Sequence, residues 1–265
     1  MNTKTTAGAA IVTGASRGLG LGIAQRLADA GHSVVLVARG ADELDSAAAA
    51  IREAGSEALA VQGDVTSDDD VERLVTITRE HFGSPHVLVN NAGASPVLGT
   101  LDELTWELFE RHIDVDVRGA FNATRAVASA MRAEGRGTIV NVVASAAGTI
   151  YTPLHTANSP GQAALYAFTR CTASWLAPAG VAVHSLAPRL TLAGGVGLAA
   201  ASRFAKAEGI SAEEWITRRL GDEALTPAQV GDAVVDLLDK SEGGTWSVTP
   251  AGLEEWDPFA SQVKP

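Results

Sequence analysis

The chain has 265 residues, 46% hydrophobic and 19% charged, a balance that supports a packed core and excludes the intrinsically disordered class. A formal charge of −11 opposes a surface built to neutralise nucleic-acid phosphates or anionic lipid, so neither nucleic acid nor membrane is an expected partner. Cys171 is the only cysteine, which excludes an internal disulfide and a multi-cysteine metal site and fits a cytoplasmic setting.

In chain order, short β-branched and apolar runs at 9–12, 33–37, 58–62, 87–89, 138–143, 181–186 and 245–248 predict strands. Helix-like spacing falls between them at 18–30, 41–54, 68–82, 109–132, 162–176 and 227–239, with Asp68 and Thr226 as helix starts and Pro227 in the first turn. Strands alternating with helices imply an α/β fold, a doubly wound sheet of about seven mostly parallel strands with helices on both faces. No repeat or low-complexity linker marks a second domain, so 1–265 is read as one unit. Residues 189–210, rich in Gly and Ala, carry the weakest pattern. They read either as part of a lid spanning 189–225 or as a loose surface connection. The tail from 246 holds Trp246, Trp256 and Phe259, aromatics expected to bury against a neighbour or their own pocket. The N-terminus lacks a signal-peptide pattern, and no run reaches the roughly 18 apolar residues of a membrane span. The six histidines show no ligand spacing, and no metal is expected.

The chemistry begins just after the first strand, at Thr13-Gly14-Ala15-Ser16-Arg17-Gly18-Leu19-Gly20, followed by a helix. A diphosphate lying on a helix N-terminus needs a tight turn and a backbone it can approach closely, which small residues at this spacing supply. Further along come Asp64-Val65, Asn90-Asn91-Ala92-Gly93, Ser145 and Ala187-Pro188. With these motifs the chain resembles the short-chain dehydrogenase/reductase family over nearly its whole length, in the family's order and spacing.

The resemblance implies a Rossmann-type fold in which Gly14, Ser16, Arg17, Gly18, Leu19 and Gly20 cradle the cofactor phosphates. It implies that Asp64 and Val65 hold the adenine, that Asn91, Ala92 and Gly93 line the cofactor, and that Pro188 flanks the nicotinamide. It also implies a homodimer or homotetramer built on the long helices 109–132 and 162–176. An NAD-selective site places an acid at the end of the second strand, whereas Ala38 and Arg39 stand there. Arg39 with Arg17 suits a 2′-phosphate, so NADP(H) is the expected cofactor.

The pattern fails at the reacting centre. In the family a Ser is followed by Tyr and Lys in Y-x-x-x-K, with an Asn on an earlier helix; the Tyr moves a proton and the Lys lowers its pKa and holds the ribose. Here Ser145 is retained, but the Tyr position thirteen residues on is Asn158, the Lys position is Gln162 and the Asn position is Asp116. An amide does not titrate in water, so the usual relay is lost, although Gln162 can still hydrogen-bond a ribose. His155, Tyr151 and Asp116 are the nearby candidates for a substitute acid or base; each also has a plain structural reading, as a loop histidine, a packing aromatic and a helix-kink anchor. The expected partner is a small organic molecule. Its reaction is redox by an atypical route, or a non-redox cyclisation, isomerisation or dehydration, unless the chain is an inactive NADP(H)-binding sensor or scaffold.

Overall fold

The computed structural model describes residues 8–94, 98–144, 153–189, 191–192, 196–219 and 224–258. Eight strands form one sheet: β1 (Ala9–Thr13), β2 (Ser33–Ala38), β3 (Ala58–Gln62), β4 (Pro85–Asn90), β5 (Gly137–Val142), β6 (Val181–Pro188), β7 (Thr245–Thr249) and β8 (Gly252–Glu255). Their order is β3-β2-β1-β4-β5-β6-β7-β8, parallel except for the β7–β8 pair. The helices are α1 (Gly18–Asp29), α2 (Ala41–Glu53), α3 (Asp68–Phe82), α4 (Trp106–His112), α5 (Gly119–Glu134), α6 (Asn158–Leu176), α7 (Val196–Glu208), α8 (Ala212–Arg219) and α9 (Pro227–Leu238).

Period-two alternation sends each central strand's side chains into two cores. Ala10, Val12, Val34 and Leu36 join the α1, α2 and α9 side, while Ile11, Val35 and Val37 join the side of α3, α5 and α6. Both faces are dry, which is why these strands read as unbroken apolar runs. The order reverses between β1 and β4, and a crevice opens there beyond the carboxyl ends of the strands.

Three elements depart from the sequence reading. The single helix expected at 109–132 is α4 and α5 joined through a π-helical turn, Ile113–Arg118, whose wider winding brings Asp116 into the interior. The weakly patterned stretch after β6 contains α7 and α8, and Ser211 caps α8 by accepting from the Glu214 N–H at 3.1 Å. The sheet has an eighth strand, β8, which turns back along β7. At the helix starts Thr226 caps α9 in a reciprocal capping box with Gln229, and α3 begins at Asp68 with Ser67 as its cap.

One buried group on β6 makes stability depend on pH. The His184 ring is fully buried, and its Nδ1 accepts from the Gly244 N–H at 3.1 Å and the Trp246 Nε1–H at 3.2 Å. Burial, reinforced by the Lys240 charge held 4.3 Å from the Trp246 ring, lowers its pKa from 6.5 to about 4. A folded pKa below the unfolded one means that the unfolded chain takes the proton first. Stability is therefore lost as pH falls from about 6.5 to about 4, by up to roughly 3 kcal/mol. His184→Gln, which keeps an acceptor but does not titrate, should flatten urea midpoints across that window; an undiminished acid loss would place the cause elsewhere.

Candidate functional site

A cavity of about 900 Å³ opens at the switch point. Its first wall is the turn between β1 and α1. Gly14 has φ +65°, and a Cβ there would fall 2.9 Å from Ala92 Cα; a Cβ on Gly20 would fall 2.2 Å from the Gly14 carbonyl oxygen. The turn is braced from β4: the Asn91 Nδ2 donates to the Thr13 and Gly14 carbonyls at 2.9 and 3.2 Å, and the Asn91 and Ala92 N–H groups donate to Thr13 Oγ1, each at 3.0 Å. Among the described residues no side chain caps α1 and no acid stands in its first turn, so its N–H groups and positive dipole end are available to an anion. The residues present fit a dinucleotide diphosphate.

The other residues expected to hold a cofactor line the same cavity. Ser16, Arg17, Gly18 and Leu19 line the cavity from the turn, as do Arg39 from the end of β2, Asp64 and Val65 after β3, Gly93 after β4 and Pro188 at the end of β6. Arg17 forms a loose, exposed ion pair with Glu43 at 3.6 Å, and Arg39 makes no ion pair among the described residues. The Asp64 carboxylate is partly engaged, accepting from the N–H and hydroxyl of Thr66 at 2.9 and 2.8 Å. Asn90 faces away and builds a buried amide chain instead. It donates to Asn141 Oδ1 at 2.8 Å and Thr124 Oγ1 at 3.1 Å, and Asn141 donates to Thr169 Oγ1 at 2.8 Å, tying β4, β5, α5 and α6 together behind the site.

At the reacting end, Asp116, His155, Asn158 and Gln162 all line the cavity, whereas Ser145 and Tyr151 lie outside the described residues. Asp116 is buried: its Oδ1 accepts from the Ala94 N–H at 2.8 Å, its Oδ2 from Gln162 Nε2 at 2.9 Å, and His112 Nδ1 lies 3.5 Å away. The Gln162 Oε1 accepts from the Ala144 N–H at 2.7 Å. A continuous polar strut thus runs from the end of β4 through the π turn and α6 to the end of β5. The Gln162 amide, expected to be available to a ribose, already spends its oxygen and one of its two N–H groups within it. Asn158 begins α6 and makes no side-chain hydrogen bond among the described residues, so its amide can orient a ligand but not exchange a proton with it.

The far side of the cavity was not singled out in the sequence beyond the 189–225 stretch. Leu98, Arg111, Phe204, Glu208, Trp215 and Arg219 line it. Phe204 and Trp215 stack with ring centres 5.5 Å apart, and the His155 ring meets Phe204 edge-on at 5.1 Å. Arg203 fastens α7 to the 98–103 segment, donating to the Leu98 carbonyl at 3.1 Å and to Glu103 at 2.6 Å.

Comparison with known proteins agrees with this architecture. The family model described as short chain dehydrogenase matches residues 8–197. A 3-oxoacyl-[acyl-carrier-protein] reductase from Synechocystis sp. is 37% identical over 187 residues, 70% of this chain and 75% of the relative. Among solved structures, a single-substitution variant of the actinorhodin polyketide ketoreductase with NADPH superposes with a TM-score of 0.84 at 29% identity, covering 92% of this chain and 97% of that one. An NAD⁺-bound xylitol dehydrogenase gives the same TM-score at 26% identity, covering 93% and 99%. With a glycine-turn crevice at the switch point and a family match over most of its length, the chain belongs to the short-chain dehydrogenase family.

Proposed function

We propose that this chain binds NADP(H) and acts as a divergent oxidoreductase on a small organic substrate, without the Tyr-Lys proton relay usual in its family. It works as one unit whose α7–α8 pair forms a lid over the substrate half. The observation that carries the reading is the joining, in one cavity, of an uncapped α1 N-terminus with Arg17 and Arg39. When bound, the cofactor supplies hydride at its nicotinamide. The chain's own residues then have to position the carbonyl or alcohol and exclude water; Asn158 presents a hydrogen-bonding amide, and the titratable His155 ring lines the same cavity against Phe204 of the lid. The known relatives include ketoreductases, which supports a carbonyl substrate.

Calorimetric titration of the cofactor-free protein tests the reading: micromolar binding of NADPH and weaker binding of NADH are expected, and no heat from either would overturn it. A second reading rests on the closed Asp116–Gln162 strut, which leaves the cavity without a tyrosine-lysine pair. On that reading the chain is a non-redox cyclase, isomerase or dehydratase, or an inactive NADP(H)-binding sensor or scaffold. Tight NADPH binding with no transfer of a deuteride label to any carbonyl compound in a broad panel would favour it.

We further infer a cytoplasmic homodimer or homotetramer. The outer faces of α5 and α6 leave Phe121 44% and Trp175 52% exposed, with Arg125 and Arg132 stacked on their rings. Apolar rings of this size on adjacent long helices support burial against a second copy. Light scattering should give at least twice the chain mass, and Phe121→Arg with Trp175→Glu should reduce it to the monomer; a monomeric parent sinks the inference. No described helix is long and apolar enough to cross a membrane.

A further inference from the structure

The chain as a whole carries a charge of −11, yet the cavity is lined by Arg111, Arg189 and Arg219 besides Arg17 and Arg39. Two of the cavity's carboxylates, Glu208 and Asp116, are already engaged. Glu208 accepts from Trp215 Nε1 at 3.0 Å and pairs with Arg219 at 3.2 Å, while Asp116 is held by Ala94 and Gln162. Arg111, at the end of α4, is exposed and makes no ion pair among the described residues, although it stands one turn before Val115 on the cavity wall. Its guanidinium is a planar fork that matches a carboxylate with two parallel hydrogen bonds.

Two aromatic rings, Phe204 and Trp215, stand in the apolar lining beside Leu98, Val115, Leu165 and Ala200. Phe204 and Trp215 lie nearly parallel, with an interplanar angle of 13°, and His155 closes the end of the stack. Aromatic faces and edges of opposite polarity favour a flat ring in offset or edge-on contact over a puckered one of equal area.

We propose that the substrate is an aromatic carboxylate, its ring against the Phe204–Trp215 wall and its carboxylate on Arg111. This rests on the reading of the same cavity as a cofactor half and a substrate half. Arg111 sets specificity by charge, and the lid helices α7 and α8 set it by shape.

The experiment titrates 2-naphthoate, neutral 2-naphthamide and saturated decahydro-2-naphthoate into NADP⁺-saturated and cofactor-free protein by calorimetry. Naphthoate should bind at least tenfold more tightly than either analogue, with or without NADP⁺. Arg111→Gln should abolish the preference over the amide while keeping the preference for the flat ring, and Phe204→Leu should do the reverse. No binding of naphthoate, equal binding of the three, an Arg111→Gln protein that still prefers the acid, or displacement of naphthoate by NADP⁺ would each overturn the proposal. Absence of NADP⁺ binding alongside the full naphthoate pattern would sink the cofactor reading and leave this one standing.

Discussion

Asn158→Tyr, Gln162→Lys and Asp116→Asn combined should raise NADPH-dependent reduction of small ketones by about 10²- to 10⁴-fold over the parent, the range general acid catalysis supplies. The three changes are needed together because the strut is one object. A lysine introduced alone at 162 would meet the Asp116 carboxylate, which now accepts from Gln162 Nε2 at 2.9 Å, and the ion pair would hold the ammonium away from the cavity. Asparagine at 116 keeps an acceptor for the Ala94 N–H, donated at 2.8 Å, and frees the lysine to face a ribose and lower the pKa of a phenol at 158. Position 158 opens α6 on the cavity wall, so a tyrosine hydroxyl there has access to a bound carbonyl. The Ala144 N–H loses its Gln162 acceptor, a cost of about 1 to 3 kcal/mol that thermal melting will register. A folded triple variant with unchanged turnover over a ketone panel would show that proton transfer is not what limits this site.

Much of the fold was legible because its signals are local. The run 68–82 matches α3 end to end, and Thr226-Pro227 with Gln229 announces the α9 capping box. The parallel strands betrayed themselves as short apolar runs because both of their faces are covered. What failed had a physical cause in each case. A π turn inserts a residue into a helical period, so Phe109 to Arg132 reads as one helix although Asp116 is carried inward by the wider winding. Helix α7 buries Ala201 and Ala205, residues too small to mark an apolar stripe, but the Ser211-to-Glu214 capping spacing before α8 was there to be read.

The site divides the same way. Backbone-level requirements such as Gly14 and Gly20 are written as residue types at fixed spacing, and their neighbours line one cavity. The commitment of Gln162 to Asp116 and Ala144 joins segments 46 and 18 residues away, a partnership that no local pattern encodes. Arg111, Phe204 and Trp215 reach the cavity from elements whose lining face is set by tertiary packing alone.

Arg39→Asp should weaken NADPH binding by about 10- to 100-fold and leave NADH within a few-fold of its parent value, the equivalent of roughly 1.4 to 2.7 kcal/mol lost from the phosphate alone. Arg39 stands exposed where β2 ends on the cavity and has no ion pair among the described residues, so a 2′-phosphate would meet an uncommitted guanidinium. Arg17 lines the same cavity, and its contact with Glu43 at 3.6 Å is exposed on both sides, a pairing worth little in water and readily exchanged for a charge-assisted phosphate contact. The reversed charge acts twice, removing a forked donor and repelling the phosphate, while a carboxylate in the same place accepts from the 2′-hydroxyl of NADH. Calorimetry of both nucleotides against parent, Arg39→Asp and Arg17→Ala separates the contributions. Equal losses for NADPH and NADH would mean that Arg39 supports the turn rather than reading the phosphate, and the preference for NADP(H) would fall with it.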